Sequence, residues 1–333
     1  MPVKKDVLQY GGQAVIEGVM MRSKNHFAVA CRKPDGEIVI QEEPVEKSIV
    51  GKLKWMNRPF LRGTLALVDA MALGMKALTF AATVQAEALD AGEAAPTAEK
   101  AKKNAHINDI AIGATMVFAI CFGMVVFIAL PTLLTQFIQK ALQLPLKGLL
   151  PYPQQVLMNV IDGIIRITIF LSYLWLISRL ENILRVFQYH GAEHKTINTL
   201  EAGGELTLEN CRLSSRIHPR CGTSFLVVVL FTSILVHCVF PRPSLYLARL
   251  AVHIALIPIV AGIAYEVIKL AGKYRKLPLV NAVLAPGLWS QRLTTREPDD
   301  SQIEVAIAAL KAVIDREEGV EASAAVPFAT AVV

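Results

Sequence analysis

Four long apolar runs limit what this chain can fold into more than any other feature. They cover residues 110–130, 156–177, 224–240 and 247–265. A helix needs about 20 mainly apolar residues to cross a bilayer, and the first run has 21 residues without a charge. The predicted fold class is mainly α: a polytopic α-helical membrane protein with about four transmembrane helices, a small N-terminal β element and a cytoplasmic part that bears the motifs.

The positions of lysine and arginine predict the orientation of these helices. Six of these residues fall in 178–222 and four in 266–276, but 131–155 holds only Lys140 and Lys147, and 241–244 only Arg242. Loops rich in lysine and arginine stay in the cytoplasm. The sequence therefore predicts a multi-pass membrane protein with both termini cytoplasmic. Its net charge of +6 is read as part of this pattern, so membrane lipids are the predicted partners and nucleic acid is not.

The second apolar run carries two opposite charges, Asp162 and Arg166. Residues four apart on a helix lie on one face and can pair. Charged residues inside a membrane are often functional, but a self-neutralising pair near a helix end fits equally well. Transport is a weak third hypothesis that rests on this pair alone.

The local pattern of apolar and turn-forming residues predicts the remaining segments. Apolar residues alternate on both sides of a Pro34-Asp35-Gly36 turn, as Phe27, Val29 and Cys31 and then as Ile38 and Ile40, which predicts a β-hairpin. The segments are a cytoplasmic β element at 1–58, an amphipathic helix and linker at 59–106, transmembrane helices at 107–177, the motif segment at 178–222, a transmembrane hairpin at 223–265, a C-terminal segment at 266–318 and a disordered tail at 319–333.

Two helices outside the spans are predicted. The helix in 59–90 carries Asp69 and Lys76 on one face, so it is expected at the membrane surface or against other helices rather than across the bilayer. A final helix is expected to follow a Pro-Gly turn at 286–287. It would be capped by Asp299, Asp300 or Ser301, and its apolar stripe would dock on the cytoplasmic part; the stripe is Ile303, Ile307, Leu310 and Ile314.

The motif segment contains the candidate chemistry. His190 and His194 are four residues apart, so on a helix both imidazoles can reach one metal ion, and Glu193 lies between them. The order H-x-x-E-H is that of the inverted zinc proteases, in which the glutamate is the general base. Gly191 is unfavourable for the helix on which this spacing depends.

A second pair, His218 and Cys221, lies in the same segment and can supply further ligands. Four protein ligands, His190, His194, His218 and Cys221, would form a closed structural zinc site, whereas three ligands with Glu193 as base would leave a position for water. The alternative is that these side chains bind no metal and only form hydrogen bonds. The sequence does not choose among these.

Arginine is also frequent on the predicted cytoplasmic side. Guanidinium groups suit bidentate recognition of phosphate or carboxylate; Arg22, Arg62 and Arg220 are the candidates for binding an anionic lipid or peptide substrate. The simpler explanation is that the arginines obey the charge rule and touch lipid headgroups. Glu17, Asp69 and Glu266 are acidic residues that can be their partners.

Several long motifs resemble the YqhQ-like family, bacterial membrane proteins of unknown function that are sometimes described as predicted metal-dependent enzymes. The resemblance extends from about Gly11 to about Ile314 and implies a location in the bacterial inner membrane. The motifs are GGQAVIEGVMMR, LRG at 61–63, ENILRVFQYHGAEHKTIN, ENCRLSSRIHPRCGTSF, PGLWSQRLTTREPDD and IEVAIAAL. The motif residues that the resemblance implies are Glu17, Arg22, Arg62, His190, Glu193, His194, His218, Arg220 and Cys221.

Two function hypotheses follow from these patterns. The first is a metal-dependent hydrolase at the cytoplasmic face, with zinc or another divalent ion on His190 and His194, helped by His218 or Cys221, and with Glu193 as base. The second is a non-enzymatic membrane scaffold or assembly factor with a structural metal or none.

Overall fold

The computed structural model describes residues 10–45, 61–90, 114–115, 117–144, 151–273 and 278–319. Within them the chain is mainly helical with one small sheet, as predicted. The strands are β1 (Gly11–Val15), β2 (Gly18–Arg22), β3 (His26–Arg32) and β4 (Ile38–Pro44). The helices are α1 (Leu61–Asp90), α2 (Leu130–Ala141), α3 (Tyr152–Ile177), α4 (Glu181–Glu201), α5 (Leu208–Leu213), α6 (Gly222–Val239), α7 (Tyr246–Lys273), α8 (Pro278–Thr294) and α9 (Asp300–Glu317). The predicted linker at 91–106 and all but Gly319 of the predicted tail lie outside the described residues.

Five of the described helices are long and apolar enough to cross a membrane. Four of them correspond to the predicted spans, and the fifth is α1, so the number of candidates differs from the predicted four. The five stretches are Arg62–Glu87, Val117–Ala141, Tyr152–Ile177, Gly222–Val239 and Tyr246–Ala271. By length and composition alone, the chain is therefore compatible with a multi-pass membrane protein.

The first predicted span does not end at Leu130. The helical segment that includes Val117 continues to Ala141, passing through a π-helical turn at Val125–Ala129 directly before Pro131. Proline removes a backbone donor and crowds the preceding turn, and a wider π turn relieves both conflicts. Residues 110–113 and 116 of the predicted span lie outside the described part.

The four strands form an antiparallel meander in the order β1-β2-β3-β4. The predicted hairpin is confirmed: Gly36 has φ +92° in the tight turn between β3 and β4, and its amide donates to Lys33 O at 3.0 Å. Cys31 pairs with Val39 and Ala30 with Ile40. Because paired residues share a face, Ile38 and Ile40 lie on the face opposite to Phe27, Val29 and Cys31.

Both faces of the sheet are buried, which explains why β2 and β3 are apolar almost throughout. One face packs on α4 and α9, with a core that includes Val19, Met21, Ala28, Ala30, Tyr189, Ile197, Ile303 and Leu310. The other face packs on the C-terminal half of α1, with a core that includes Val15, Met20, Phe27, Val29, Leu73, Ala77 and Phe80. The sheet is thus the middle layer between α1 on one side and α4 with α9 on the other.

The C-terminal region contains one helix that the sequence did not predict. Pro286 and Gly287 lie inside α8 and do not form the predicted turn. Gly287 faces α6, and a β-carbon there would lie 3.0 Å from Cβ of Ser224, so the glycine permits close packing of the two helices. The next helix, α9, is as predicted: Asp299 and Gln302 form a capping box, and its apolar stripe packs on the sheet and α4.

Gly191 has a packing role in α4. A β-carbon at this position would lie 2.0 Å from the backbone oxygen of Arg296. The amide of Arg296 in turn donates to Phe187 O of α4 at 2.8 Å. Gly191 therefore lets the connection between α8 and α9 lie directly against α4, which outweighs the poor helix propensity of glycine.

We expect Gly191→Ala to destabilise the protein because the added methyl group collides with backbone rather than with a flexible side chain. Overpacking of this kind costs about 1–3 kcal/mol. Gly123→Ala is the matched control, since no atom lies within 4 Å of a β-carbon at that helical glycine, and alanine is favoured there by roughly 0.5–1 kcal/mol. Thermal unfolding of the purified variants in detergent measures both; equal stability of Gly191→Ala and the native protein would contradict this packing.

Candidate metal centre

Helix α4 carries the first three candidate residues, His190, Glu193 and His194, on a continuous stretch. The predicted helical spacing is confirmed: the ring centroids of His190 and His194 are 4.4 Å apart. His194 is buried and His190 half-buried. Two imidazoles on one helix face therefore lie next to each other beneath the protein surface.

Cys221 completes this group from another part of the chain. It is the N-cap residue of α6, and its sulfur lies 3.1 Å from Nε2 of His190. One ligand atom from each of His190, His194 and Cys221 lies within 4.8 Å of the other two. Ligands bound to one zinc ion at about 2.0–2.3 Å are necessarily this close together, so three of the four predicted ligands converge.

The hydrogen bonds of the two imidazoles fix which ring nitrogen is available. Nδ1 of His190 lies 2.8 Å from Thr294 O, and Nδ1 of His194 lies 2.7 Å from Arg216 O. A carbonyl oxygen can only accept, so each Nδ1 carries the proton and each neutral ring has its lone pair on Nε2. This is how metal-binding histidines are commonly oriented.

His194 is especially suited to bind an ion. Its buried Nε2 has no well-formed hydrogen bond within the described part of the chain, only an interaction with the Cys221 thiol, and a poorly satisfied buried polar atom is costly. Burial also lowers the pKa of the His194 imidazole, which favours the neutral form that a metal ligand requires.

The loop that presents Arg216 O and Cys221 is held by side chains that the sequence analysis did not single out. Lys195 donates to Arg212 O at 2.8 Å and to Ser214 O at 3.0 Å. The buried amide of Gln291 in α8 accepts from the amide of His218 at 2.9 Å and donates to its carbonyl at 2.7 Å. Lys195 and Gln291 both lie within the quoted motifs, but their spacing gave no sign of this role.

His218, the fourth predicted ligand, does not belong to the convergent group. Its Nε2 lies 3.3 Å from Oε1 of Glu201, the carboxylate that also accepts from Arg220. His218 still lies close by, since its ring centroid is 5.6 Å from that of His194. His218 therefore lies beside the convergent group, but its Nε2 contacts Glu201.

Glu193 is buried between α4 and β1. A β-carbon at Gly12 would lie 3.0 Å from its carboxyl carbon, so the glycine admits this side chain against the strand. Its Oε2 has no hydrogen-bond partner among the described residues. Burial raises the pKa of the Glu193 carboxyl, against the opposing effects of His190, His218 and the Gly12 amide.

The arginines predicted to bind substrate all have carboxylate partners within the chain; Asp69 and Glu266 were among the predicted partners, and Glu201 was not. Such pairing accounts for their charge without a substrate, and their substrate role stays a prediction. Arg22 contacts Asp69 at 3.0 Å, Arg62 contacts Glu266 at 2.6 and 2.5 Å, and Arg220 contacts Glu201.

Glu17, another residue that the resemblance implied, connects the sheet to α4. It lies in the turn between β1 and β2 with φ +49°, a left-handed conformation that is unfavourable for most residues other than glycine. Both its carboxylate oxygens accept from Arg185 at 2.5 Å. The turn that precedes β2 is thus fixed to the helix that bears the histidines.

The donor set fits a borderline-soft divalent ion. Two imidazole nitrogens and one thiol sulfur are typical ligands of zinc, and three protein ligands leave one tetrahedral position for water or substrate. Hard ions such as magnesium or calcium prefer oxygen ligands. Of the described residues, His190, His194 and Cys221 could thus hold a zinc ion and would leave one ligand position that protein does not fill.

The fold and this group define a helical protein with several candidate membrane spans and a possible His-His-Cys metal site. Comparison with known proteins gives the family: residues 58–316 match "Protein of unknown function (DUF1385)", and the chain belongs to it. The chain is also 36% identical to "Uncharacterized protein YqhQ" of Bacillus subtilis (strain 168) over 300 residues, 90% of each chain. No solved structure matches.

Proposed function

We propose that this protein is a metal-dependent enzyme, a hydrolase, with its site at the cytoplasmic face of the bacterial inner membrane. The observation that supports this most is the orientation of His190 and His194. Both Nδ1 atoms donate to backbone carbonyls, so each Nε2 carries a lone pair, and Nε2 of His190 lies 3.1 Å from the Cys221 sulfur.

The residues would share the chemistry as follows. His190, His194 and Cys221 hold the ion, which when bound lowers the pKa of a water molecule and polarises a carbonyl or phosphoryl oxygen. Thr294 O and Arg216 O keep the imidazoles in the binding tautomer. Glu193, three residues after His190, would take a proton from the attacking water as general base; burial raises the pKa of its carboxyl group, which makes the carboxylate a stronger base.

The second candidate function is a scaffold with a structural metal site. It would require His218 as the fourth ligand, because structural zinc sites are closed by four protein ligands. The contact between His218 and Glu201 favours the open site instead, since a ligand to the ion would have to leave that carboxylate.

The membrane arrangement that we propose has four spans, which include α3, α6, α7 and the stretch ending with α2, and both termini in the cytoplasm. Helix α1 does not cross the bilayer in this arrangement and packs against α7 and the sheet. In support, its C-terminal half packs on the sheet, and Lys76 pairs with Glu43 of β4 at 2.8 Å. If α1 crossed the bilayer, the Lys76–Glu43 pair and part of the sheet would lie inside the membrane.

Metal content of the purified full-length protein distinguishes the open site from the closed one. We expect about one equivalent of zinc in the native protein and the same zinc content in His218→Ala. In His194→Ala the zinc content should fall to under about a tenth of the native value. The reason is that zinc bound to protein ligands contributes on the order of 10 kcal/mol or more, and this binding energy needs its ligands. Elemental analysis measures this. A metal-free native protein would contradict the metal centre, and loss of zinc from His218→Ala would favour the structural site.

Glu193→Gln separates catalysis from a scaffold role. We expect this variant to keep its zinc yet fail to restore the phenotype of a cell that lacks the gene, because loss of a general base typically slows a reaction by roughly 10²–10⁴-fold. Glu205→Gln is the control, since Glu205 is exposed in the loop after α4. Full complementation by Glu193→Gln would rule out the role of base.

Labelling of two exposed leucines tests the orientation. Leu245 is 65% exposed between α6 and α7, and Leu213 is 84% exposed at the end of α5. In a background without native cysteines, a membrane-impermeant maleimide should label Leu245→Cys in intact spheroplasts but Leu213→Cys only after lysis. The reverse pattern would overturn the proposed topology.

A further inference from the structure

A second buried polar cluster lies within the helical bundle, among α2, α3, α6 and α7. It contains the Asp162–Arg166 pair, which is confirmed at 2.8 Å. Thr135 of α2 donates to Asp162 at 3.1 Å, and His253 of α7 lies 3.9 Å from the same carboxylate. His253 in turn contacts His237 of α6 at 2.5 Å, so one network joins all four helices.

This network leads to a cleft at the end of the bundle where α6 turns into α7. Two arginines, Arg242 and Arg249, contribute to its wall. The full lining is Asn159, His237, Phe240, Pro241, Arg242, Pro243, Arg249, Val252 and His253.

Arg242 is buried, with 5% of its surface exposed, yet its donors are only partly used. Its Nη1 donates to Oδ1 of Asn159 at 2.9 Å. Its Nε and Nη2 have no hydrogen-bond partner among the described residues. These two N–H groups form one edge of the planar guanidinium, the edge that binds two oxygens of an anion side by side.

Other arginines of this chain show what that edge normally does. Arg62 directs Nε and Nη2 to the two oxygens of Glu266, and Arg185 does the same with Glu17. These pairs lie outside the bundle core, where water molecules could have accepted the same hydrogen bonds. Arg242 presents the same edge in a more buried place, but no carboxylate meets it in the described part of the chain.

Arg249 is also buried, with 2% of its surface exposed. The turn after α6 fixes it in position, since Nε donates to Pro243 O at 2.6 Å and Nη2 to Ser244 O at 2.8 Å. Its Nη1 is without a partner among the described residues. The two arginines together offer three unused donors in one cleft.

The charges of the cluster are unequal as well. Arg166, Arg242 and Arg249 stand against one carboxylate, Asp162, among the described residues of the network. Buried charge without a counterion is strongly unfavourable, especially inside a membrane. An anion in the cleft would satisfy both the excess charge and the unused donors.

We propose that this cleft is a binding site for a phosphate group. Three N–H donors from two guanidiniums suit the several oxygens of a phosphate better than the two oxygens of a carboxylate. The cleft opens at the far end of α6 from Cys221, about 27 Å away for a helix of 18 residues. It is therefore separate from the candidate metal centre, and in the membrane arrangement proposed above, on which this point rests, it faces the lipid headgroups of the opposite side.

Binding to the purified full-length protein in detergent tests this site. The probes are phosphatidylglycerol, diacylglycerol with the same acyl chains, and inorganic phosphate. Native mass spectrometry counts the lipid molecules that the protein retains, and thermal unfolding reports stabilisation by phosphatidylglycerol or by inorganic phosphate. Arg242→Lys keeps the charge but removes the bidentate edge, Arg249→Gln tests the same site should that variant not fold, and Arg212→Gln, on the exposed Asp300 pair, is the control.

We expect one phosphate-bearing molecule per chain, with binding at least tenfold weaker in Arg242→Lys or Arg249→Gln and unchanged in Arg212→Gln. Retention of phosphatidylglycerol but not diacylglycerol would identify a lipid headgroup as the source. Stabilisation by inorganic phosphate alone would identify the free anion. The proposal is wrong if neither phosphatidylglycerol nor inorganic phosphate binds the native protein. It is also wrong if both cleft variants bind these probes as tightly as the native protein does.

Discussion

Two backbone carbonyls determine which ring nitrogen of His190 and of His194 is left to bind an ion. Thr294 O ends α8 and Arg216 O lies in the loop before α6, and each accepts a hydrogen bond from one imidazole of α4. Holding these carbonyls in place requires Gln291, Lys195 and the close approach that Gly191 permits. The helices, the loop and the connection to α9 thus combine to direct two Nε2 atoms at one sulfur.

Local spacing predicted the parts of the site that lie on a single element. His190 and His194 share a helix face because they are four apart, and the charged pair in α3 followed from the same rule. The partner of His218 could not be predicted, because Glu201 meets it only through the fold. Helix α8 was missed for a similar reason: Pro286-Gly287 has the composition of a turn, but Gly287 is needed for contact with Ser224 of α6.

The small sheet joins helices that lie on its two sides. Buried on both faces, it connects α1 to α4 and α9, and Glu17 at its first turn binds Arg185 of α4. β1 also covers Glu193 through Gly12. The sheet therefore contributes to the candidate site itself, and the two polar clusters of the protein lie at opposite ends of α6.

X-ray absorption at the zinc edge of the purified, zinc-loaded protein tests the central claim, a His190–His194–Cys221 centre with an open fourth position. The account predicts two imidazole nitrogens at about 2.0–2.1 Å, one sulfur at about 2.3 Å and one further light atom from solvent. Loss of the sulfur shell in Cys221→Ser would assign that ligand. A spectrum with no sulfur, or with three imidazoles and one sulfur, would contradict it.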